Sequence, residues 1–376
     1  MTNKRLDYLD MAKGIGMLLV LMGHLQGDAI YQFSPYLQPW CVFIFSFHMP
    51  MFFIISGILM AIKNDEAKSF KEIAKRRFKG IMIPYYWFSA FYLSVVVFEL
   101  IRGNIAIQTL LINLWYVISG YGMNVLWFLP AIYLGELLFI YLKQKSKTEK
   151  SFIITIIVAE IITFILSYLL TIPSMDSVVY KRFREIATII LRPVLIAGFI
   201  SLGYYVHKLL SSGNKIGNFF LKPETNEKNK VLLKYKFAYI IIGILLLAVC
   251  AIFAPVNNGI DVRTMAFRNI FFFLLCCLSG SYGLIILCKG LPAIKLVTFW
   301  GQGSLIFMAT HNSQTVLHYA MLFAMYVNQY LTRARGYICY AIVVTVITIF
   351  STIMIFLIQR FAPFIIGKSY KNKSKK

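Results

Sequence analysis

Charged residues are scarce in this 376-residue chain: they make up 14% of it, against about 25% in soluble domains. Apolar residues reach 59%, compared with roughly 45–50% in soluble proteins. This composition excludes a cytosolic enzyme and a disordered chain. The apolar residues fall in repeated blocks close to the thickness of a bilayer. The sequence therefore predicts an all-α, polytopic integral membrane protein.

Cysteine is also scarce, and the six cysteines are scattered along the chain. They form no CxxC pair and show none of the His/Cys spacings that bind zinc. This distribution excludes a disulfide scaffold and predicts no metal site.

Acidic residues are few as well: 15 Asp and Glu stand against 38 Lys and Arg, a formal net charge of +23. The basic residues lie in short connections between apolar blocks, which argues against nucleic acid as a partner. Cytoplasmic loops of membrane proteins carry the excess of Lys and Arg. With the N-terminus inside, the inside segments hold 29 of these residues and the outside segments hold 8. Both termini are therefore predicted to be cytoplasmic, in a multi-pass protein of the cell (plasma) membrane.

Ten apolar blocks are long enough to cross a bilayer, which takes about 20 mainly apolar residues. We predict one membrane domain over 1–376, with six helices over about 12–207 and a cytoplasmic linker over 208–236. Four further helices then cover about 237–360, followed by a basic cytoplasmic tail over 361–376. The predicted spans cover about 12–31, 41–62, 81–100, 123–142, 151–172, 186–207, 237–254, 267–288, 302–326 and 338–360.

The first predicted span carries three ionisable residues on one helix face: Asp10, Lys13 and His24. A rise of 1.5 Å per residue places His24 ~16 Å from Lys13 along the helix axis, deep in the membrane. The simplest interpretation is that Asp10 and Lys13 pair near the surface, with His24 as a hydrogen-bonded packing residue. The shared face favours a site entered from the cytoplasm, because ionisable residues at this depth face a cavity or a partner. Glycines in the same helix, such as Gly14, allow another helix to approach closely.

Two more intramembrane histidines are predicted near this site. His48 begins the run His48-Met49-Pro50 at a depth close to that of the first imidazole. His311 precedes Asn312 on an unusually polar ninth span, and His318 is predicted to share the face of His311. Structural roles explain these residues as well. His48 could hold a kinked helix together, and the polar residues around His311 could form hydrogen bonds between helices.

A basic run, Lys71 to Tyr86, opens the third span and contains Arg76 and Arg77. Such a run commonly anchors a helix on anionic lipid. It also fits a clamp for a phosphorylated cofactor, since guanidinium groups match phosphate oxygens. Two further intramembrane carboxylates, Glu136 and Glu160, have no role that the sequence assigns.

Five fragments of the sequence, in this order, resemble the membrane acyltransferase-3 family, most closely its branch of fucose 4-O-acetylase-like acetyltransferases. The resemblance covers nearly the whole chain. The fragments are Asp10–His24, Phe47-His48-Met49-Pro50, the basic run ending at Pro84-Tyr85, Leu126-Trp127-Phe128-Leu129-Pro130, and Gly303-Ser304 with His311.

This resemblance implies a multi-helix enzyme that moves an acetyl group from cytoplasmic acetyl-CoA to a hydroxyl of a cell-surface glycan. It implies a catalytic role for His24 and a basic partner at Lys13, where many members carry Arg. It further implies that Arg76 and Arg77 bind CoA. Expected partners are acetyl-CoA, a surface glycan or glycolipid, the bilayer and proteins of polysaccharide assembly.

Our hypothesis from the residues is that His24 acts as general base or briefly carries the acetyl group. His48 or the pair of His311 and Asn312 would orient it or donate to the developing oxyanion. Asp10 supports the first helix but lies too far along it to orient His24. A transporter or flippase for a lipid-linked glycan is the alternative function. A membrane sensor or scaffold would leave the buried ionisable residues unexplained.

Overall fold

The computed structural model describes residues 6–25, 38–171, 177–212, 229–257, 259–330 and 335–369. Eight helices in this part of the chain are long and apolar enough to cross a membrane, which confirms the all-α, polytopic membrane class. They cover Pro39–Ile62, Phe70–Ile101, Asn124–Lys145, Glu149–Leu169, Val178–Ser211, Tyr235–Val256, Ile270–Gly290 and Gly336–Phe361.

The α-helices follow one another along the described residues with short 3₁₀ turns between some of them. In chain order they are α1 Asp7–His24, α2 Gln38–Phe45, α3 His48–Ile62, α4 Phe70–Arg77, α5 Ile83–Ile101, α6 Ile107–Ile118, α7 Phe128–Lys145, α8 Glu149–Leu169, α9 Val178–Ser211, α10 Asn229–Phe253, α11 Ile270–Gly290, α12 Lys295–Gln302, α13 Ser304–Thr310, α14 Gln314–Asn328 and α15 Arg335–Phe361. A π-helical turn, Phe78–Met82, joins α4 to α5.

Local sequence explains where several helices begin. Ser69, Thr148 and Asn269 each precede a helix, and their side-chain oxygens accept the backbone N–H three residues later. Each cap satisfies one of the N–H groups that have no partner within the helix. These caps start α4, α8 and α11 and so fix the boundaries of three long apolar segments.

The first predicted span is shorter than expected in the described residues. Helix α1 contains 18 residues and carries Asp7, Asp10 and Lys13, which make it less apolar than the eight long helices. Residues 26–31 of the predicted span lie outside the described part of the chain. The predicted linker over 208–236 lies largely outside it too, between the end of α9 at Ser211 and the start of α10 at Asn229.

The ninth predicted span, 302–326, is not one continuous helix, so that part of the prediction is wrong. The chain breaks at Gly303 and again at 311–313, giving α12, α13 and α14. Just before the second break, the Thr310 hydroxyl and Nδ1 of His311 donate to the carbonyl oxygens of Ile306 and Met308, and such side-chain bonds compete with helix continuation. His311 and His318 therefore lie on either side of a break, and the prediction that they share one helix face is also wrong.

The chain divides into two compact units, neither of which is a continuous stretch of sequence. The first unit comprises Met1–Ile55, Lys208–Ile260 and Arg268–Phe356. Within it α1 packs against α11 and α12, and α10 packs along α11. A Cβ atom at Gly14 of α1 would lie 2.0 Å from the carbonyl oxygen of Val297 in α12, and one at Gly301 only 1.7 Å from that of Asp10. The backbones of α1 and α12 can approach this closely only because both positions are glycine.

The second unit comprises Ser56–His207, Asp261–Phe267 and Leu357–Lys376. Its long helix α9 contains Pro193. A Cβ atom at Gly57 would lie 2.0 Å from the carbonyl oxygen of Ile200 in α9, so α3 and α9 are also in backbone contact there. The prediction of a single membrane domain over 1–376 stays a prediction.

We expect Gly14→Ala to lower the melting temperature of the detergent-purified protein. Overpacking a tight contact costs typically about 1–3 kcal/mol, and here the added methyl group meets backbone rather than a movable side chain. Gly80→Ala is the matched control, because a Cβ atom at Gly80 meets nothing within 4 Å. Equal melting temperatures for the two variants would contradict the close packing of α1 on α12.

Candidate functional site

Two of the predicted histidines, His24 and His311, come together in the first unit. His24 is the last residue of α1 and its side chain is exposed. His311 follows α13 and is buried, with 2% of its surface exposed. Their ring centroids are 5.3 Å apart. An exposed imidazole therefore lies beside a buried one, although 287 positions of sequence separate them.

The third histidine, His48, lies near His24, with the ring of Phe45 in contact with both. His48 begins α3 and is 3% exposed. The ring centroid of Phe45 is 5.1 Å from that of His48 and 6.3 Å from that of His24. We call His24, His48 and His311 the histidine cluster.

Hydrogen bonds to the backbone fix the tautomers of the two buried histidines. The Nδ1 atom of His48 is 2.8 Å from the carbonyl oxygen of Ile44, and that of His311 is 2.7 Å from the carbonyl oxygen of Met308. A carbonyl oxygen only accepts, so each Nδ1 carries the proton and donates it. In the neutral ring, Nε2 then keeps its lone pair. The Nε2 of His311 is buried and has no hydrogen-bond partner among the described residues, so it can accept a hydrogen bond from a ligand.

A helix break places His48 in the cluster. Helix α2 ends at Phe45 and α3 begins at His48, with the Ser46 hydroxyl donating to the carbonyl oxygen of Val42 at 2.8 Å. Pro50 falls in the first turn of α3, where a missing N–H is tolerated. The helix is therefore interrupted at 46–47, just before His48, rather than at Pro50.

The remaining predicted residues of the first unit have different environments. Asp10 and Lys13 form an ion pair at 2.6 Å, as the simplest interpretation of the first span predicted. The predicted roles of Lys13 in cofactor binding and of Asp10 as a supporting residue stay predictions. Asn312 is half-buried beside His311, whereas His318 is exposed on α14.

The basic run belongs to the second unit and surrounds a carboxylate that the sequence analysis did not single out. Asp65 is fully buried and lies between α3 and α4. It accepts hydrogen bonds from Arg76 at 2.6 Å, Lys68 at 2.8 Å and Arg77 at 3.2 Å. The side chain of Arg77 is 18% exposed, but that of Arg76 is 40% exposed. We call Asp65, Lys68, Arg76 and Arg77 the Asp65 cluster.

Glu136 is the second partner of Arg77. Its Oε2 atom is 2.9 Å from Nε of Arg77, and its Oε1 atom accepts a hydrogen bond from the Ser56 hydroxyl. This ion pair explains one of the two intramembrane carboxylates without an assigned role. The other, Glu160, packs against Gly198, where a Cβ atom would lie 2.1 Å from its Oε1.

The charges of the Asp65 cluster bear on its capacity to bind phosphate. Two carboxylates hold Arg77 in place, so it has little freedom to turn toward a ligand. Arg76 keeps an exposed surface while one nitrogen contacts Asp65. Of the two arginines, Arg76 is therefore the better placed to bind an anion. In the described part of the chain, no three His, Cys, Asp or Glu side chains are grouped so that they could hold a metal ion.

Comparison with known proteins identifies the family. The family model described as acyltransferase domain (Acyl_transf_3) matches residues 6–357, so the chain belongs to this acyltransferase family. Together with its long apolar helices, this makes the protein a multi-pass membrane acyltransferase. Membership of the fucose 4-O-acetylase-like branch stays a prediction.

One similar protein is the nodulation protein NolL of Mesorhizobium japonicum. It is 40% identical over 87 residues, which are 22% of this chain and 22% of that protein. The match thus spans about a fifth of the relative's length. No solved structure gives a significant match to the chain.

We expect the stability of the protein to depend on pH through Asp65. Burial alone raises the pKa of the Asp65 carboxyl, but hydrogen bonds from Arg76 and Lys68 and the charge of Arg77 outweigh it, so the pKa is lowered. The ionised carboxylate therefore stabilises the fold above the unfolded pKa, near pH 4. This contribution is lost as the pH falls through the lower folded-state pKa.

Melting curves of the purified protein between pH 7 and pH 3 measure this dependence. Asp65→Asn should lower the melting temperature at pH 7 and flatten its fall in acid. Glu72→Gln is the control, because Glu72 is an exposed carboxylate of α4. An unchanged acid profile in Asp65→Asn would show that Asp65 does not carry this dependence.

Proposed function

We propose that this protein is a membrane O-acetyltransferase that moves an acetyl group from cytoplasmic acetyl-CoA to a hydroxyl of a cell-surface or exported glycan. The acceptor would be an exopolysaccharide, a capsule or a glycolipid, and the enzyme would lie in the plasma membrane with both termini in the cytoplasm. The observation that carries the proposal is the histidine cluster: an exposed imidazole beside two buried imidazoles whose tautomers are fixed. Membership of the acyltransferase family supports the reaction class.

His24 is the proposed general base. Its side chain is exposed at the end of α1, and imidazole is the most common general base in enzymes. The acceptor hydroxyl gives its proton to His24 while its oxygen attacks the thioester carbonyl. The carbon–sulfur bond then breaks, and the CoA sulfur takes the proton from the imidazolium. In a two-step alternative, the His24 ring attacks the thioester, the carbon–sulfur bond breaks and the ring proton leaves with the CoA sulfur. The acceptor oxygen then attacks acetyl-His24, the carbon–nitrogen bond breaks and the hydroxyl proton returns to the ring.

His48 and His311 orient this base in the proposal. Because their Nδ1 atoms donate to carbonyl oxygens, their Nε2 atoms accept hydrogen bonds in the neutral ring. His311, 5.3 Å from His24 between ring centroids, would hold an N–H of His24 or the acceptor hydroxyl. The amide N–H₂ of Asn312 would then be the donor to the oxyanion.

We assign CoA binding to Lys13, Arg76 and Arg77, with Arg76 contributing most. Arg76 carries the exposed guanidinium of the Asp65 cluster, and guanidinium groups bind phosphate oxygens in pairs. Arg77 would act by electrostatic attraction, because its side chain is held by two carboxylates.

We expect His24→Ala to abolish acetyl transfer from labelled acetyl-CoA to a surface glycan by the protein in nanodiscs. Loss of a general base typically costs about 10²–10⁴-fold in rate. His318→Ala is the matched control, because His318 is an exposed histidine on the far side of the helix break. Melting temperature and CoA binding should be unchanged in both variants.

Full activity in His24→Ala would remove His24 from the chemistry. Transport of unmodified glycan with no acetyl label in the wild type would instead favour a flippase. Proton NMR of the surface polysaccharide, with and without the protein, identifies the acetyl ester and the hydroxyl that carries it.

We expect Arg76→Gln to raise the KM for acetyl-CoA about tenfold while kcat changes little. A tenfold change corresponds to about 1.4 kcal/mol of binding, within the range for hydrogen bonds to charged groups. Lys75→Gln is the control, because Lys75 is an exposed cation on the same helix. Equal KM values for the two variants would mean that the basic run attracts CoA only by its total charge, or serves as a lipid anchor.

A further inference from the structure

Arg192 is a buried cation in the second unit that the proposed chemistry does not use. It lies in α9 and is 1% exposed. Its Nη1 atom donates to the carbonyl oxygen of Tyr121 at 3.0 Å. Its Nε and Nη2 atoms are buried and have no hydrogen-bond partner among the described residues. Buried charges are costly unless they are paired, so this guanidinium calls for a partner.

The two unpartnered nitrogens of Arg192 lie on the same edge of the guanidinium. Nε and Nη2 point their N–H groups in parallel, which is the fork that binds two oxygens of a carboxylate or a phosphate. The faces of the guanidinium are covered: its Cζ atom is 4.6 Å from the ring centroid of Tyr121 and 5.3 Å from that of Trp127. Cation–π contacts stabilise the charge but give the N–H groups of this edge no hydrogen-bond acceptor.

A second arginine adds positive charge next to Tyr121. The Cζ atom of Arg263 is 6.0 Å from the Tyr121 ring centroid, and its Nε atom is buried without a hydrogen-bond partner in the described part of the chain. The neighbouring carboxylate, Asp261, accepts hydrogen bonds from the backbone N–H of Arg263 at 2.8 Å and from Thr264 at 2.9 Å. The Asp261 carboxylate is thus already engaged in a turn.

The loop before α7 is shaped to hold Tyr121 and Trp127 at this place. Gly120 and Gly122 have φ angles of +74° and +85°, which residues with a side chain rarely adopt. A Cβ atom at Gly122 would lie 2.2 Å from the Cα atom of Trp127. The rings of Tyr116 and Tyr121 are in contact at an interplanar angle of 39°, with centroids 4.9 Å apart. The aromatic walls around the guanidinium are therefore held by the local backbone.

By the orientation predicted from the Lys and Arg residues, the segments that carry Tyr121 and Arg263 lie on the outer side of the membrane. Arg192 falls near the outer end of the sixth predicted span. A glycan acceptor would approach from that side. Sugar rings pack their C–H faces on aromatic side chains, and acidic sugars and lipid-linked sugars carry carboxylate or phosphate groups.

We propose that Arg192, Arg263, Tyr121 and Trp127 form a binding site for an anionic group of the glycan acceptor, a carboxylate of an acidic sugar or a phosphate of a lipid carrier. The proposal rests on the proposed function for the identity of the acceptor, but the anion site itself is testable without acetyl transfer. Arg192 would bind the anion through its Nε and Nη2 N–H groups, and the rings of Tyr121 and Trp127 would pack against the guanidinium and the sugar.

The test is binding to the full-length protein in nanodiscs, without acetyl-CoA. Methyl β-glucuronide carries the carboxylate and farnesyl phosphate the phosphate, and methyl β-glucoside and farnesol are their neutral counterparts. We expect at least one anionic probe to bind tenfold more tightly than its neutral counterpart. Arg192→Met should remove that difference without lowering the melting temperature, because it replaces an unpaired buried charge by an apolar side chain of similar length.

Arg182→Met is the matched control. Arg182 lies on the same helix but is paired with Glu185 at 2.7 Å, so its loss should leave binding of the anionic probes intact. Arg263→Gln, in a segment outside the helices, is a second test and should weaken binding several-fold. It keeps the proposal falsifiable if Arg192→Met does not fold.

The outcomes separate the site from the enzyme. Binding of the glucuronide alone identifies an acidic sugar, and binding of the phosphate alone identifies a lipid carrier. Equal affinity for anionic and neutral probes, or wild-type affinity in both Arg192→Met and Arg263→Gln, would overturn the site. If the anionic probe binds but no acetyl group is transferred to any glycan, the proposed function fails and the site stands.

Discussion

Burying charge among apolar side chains is the constraint on which most of this structure depends. A charged side chain at the centre of a membrane helix costs at least about 2.5–3.5 kcal/mol, so each one needs a partner. Asp65 is surrounded by three basic side chains, Glu136 is paired with Arg77, and Asp10 is paired with a lysine one turn further on. These pairs fix the loop between α3 and α4, the contact of α4 with α7, and the cytoplasmic end of α1 in the predicted orientation.

Backbone hydrogen bonds meet the same constraint in the histidine cluster. The carbonyl oxygens of Ile44 and Met308, one turn before each ring, satisfy the Nδ1–H groups of His48 and His311. Neither ring can turn without losing this hydrogen bond. Their lone pairs are thus set in advance of any ligand, the kind of fixed polar environment that favours catalysis.

Eight of the ten spans predicted from hydropathy coincide with helices that are long and apolar enough to cross a membrane. Long apolar runs favour helices because a helix satisfies its own backbone hydrogen bonds. Periodicity and hydropathy also singled out the three histidines that the structure brings together, since ionisable residues stand out in such runs. The break at 311–313 was missed, because it lies within an otherwise helical pattern and is preceded only by hydrogen bonds of Thr310 and His311 to carbonyl oxygens one turn earlier. The partners Asp65 and Glu136 could not be paired with Arg77 from the sequence, since 12 and 59 positions separate them and only the tertiary fold brings them together.

The π-helical turn Phe78–Met82 has a consequence for insertions and deletions in this region. A turn of this kind holds one residue more than an α-helical turn, and each residue advances a helix by about 100°. Residues after this turn are therefore rotated by about one residue relative to their positions in an uninterrupted α-helix. One of them is Tyr85, whose hydroxyl donates to the Val117 carbonyl oxygen at 2.8 Å. Removing one residue there would close the widened turn to an α-helical one and leave the aromatic face in place, whereas adding one would rotate that face by about 100°. This stretch of the chain therefore tolerates a deletion better than an insertion.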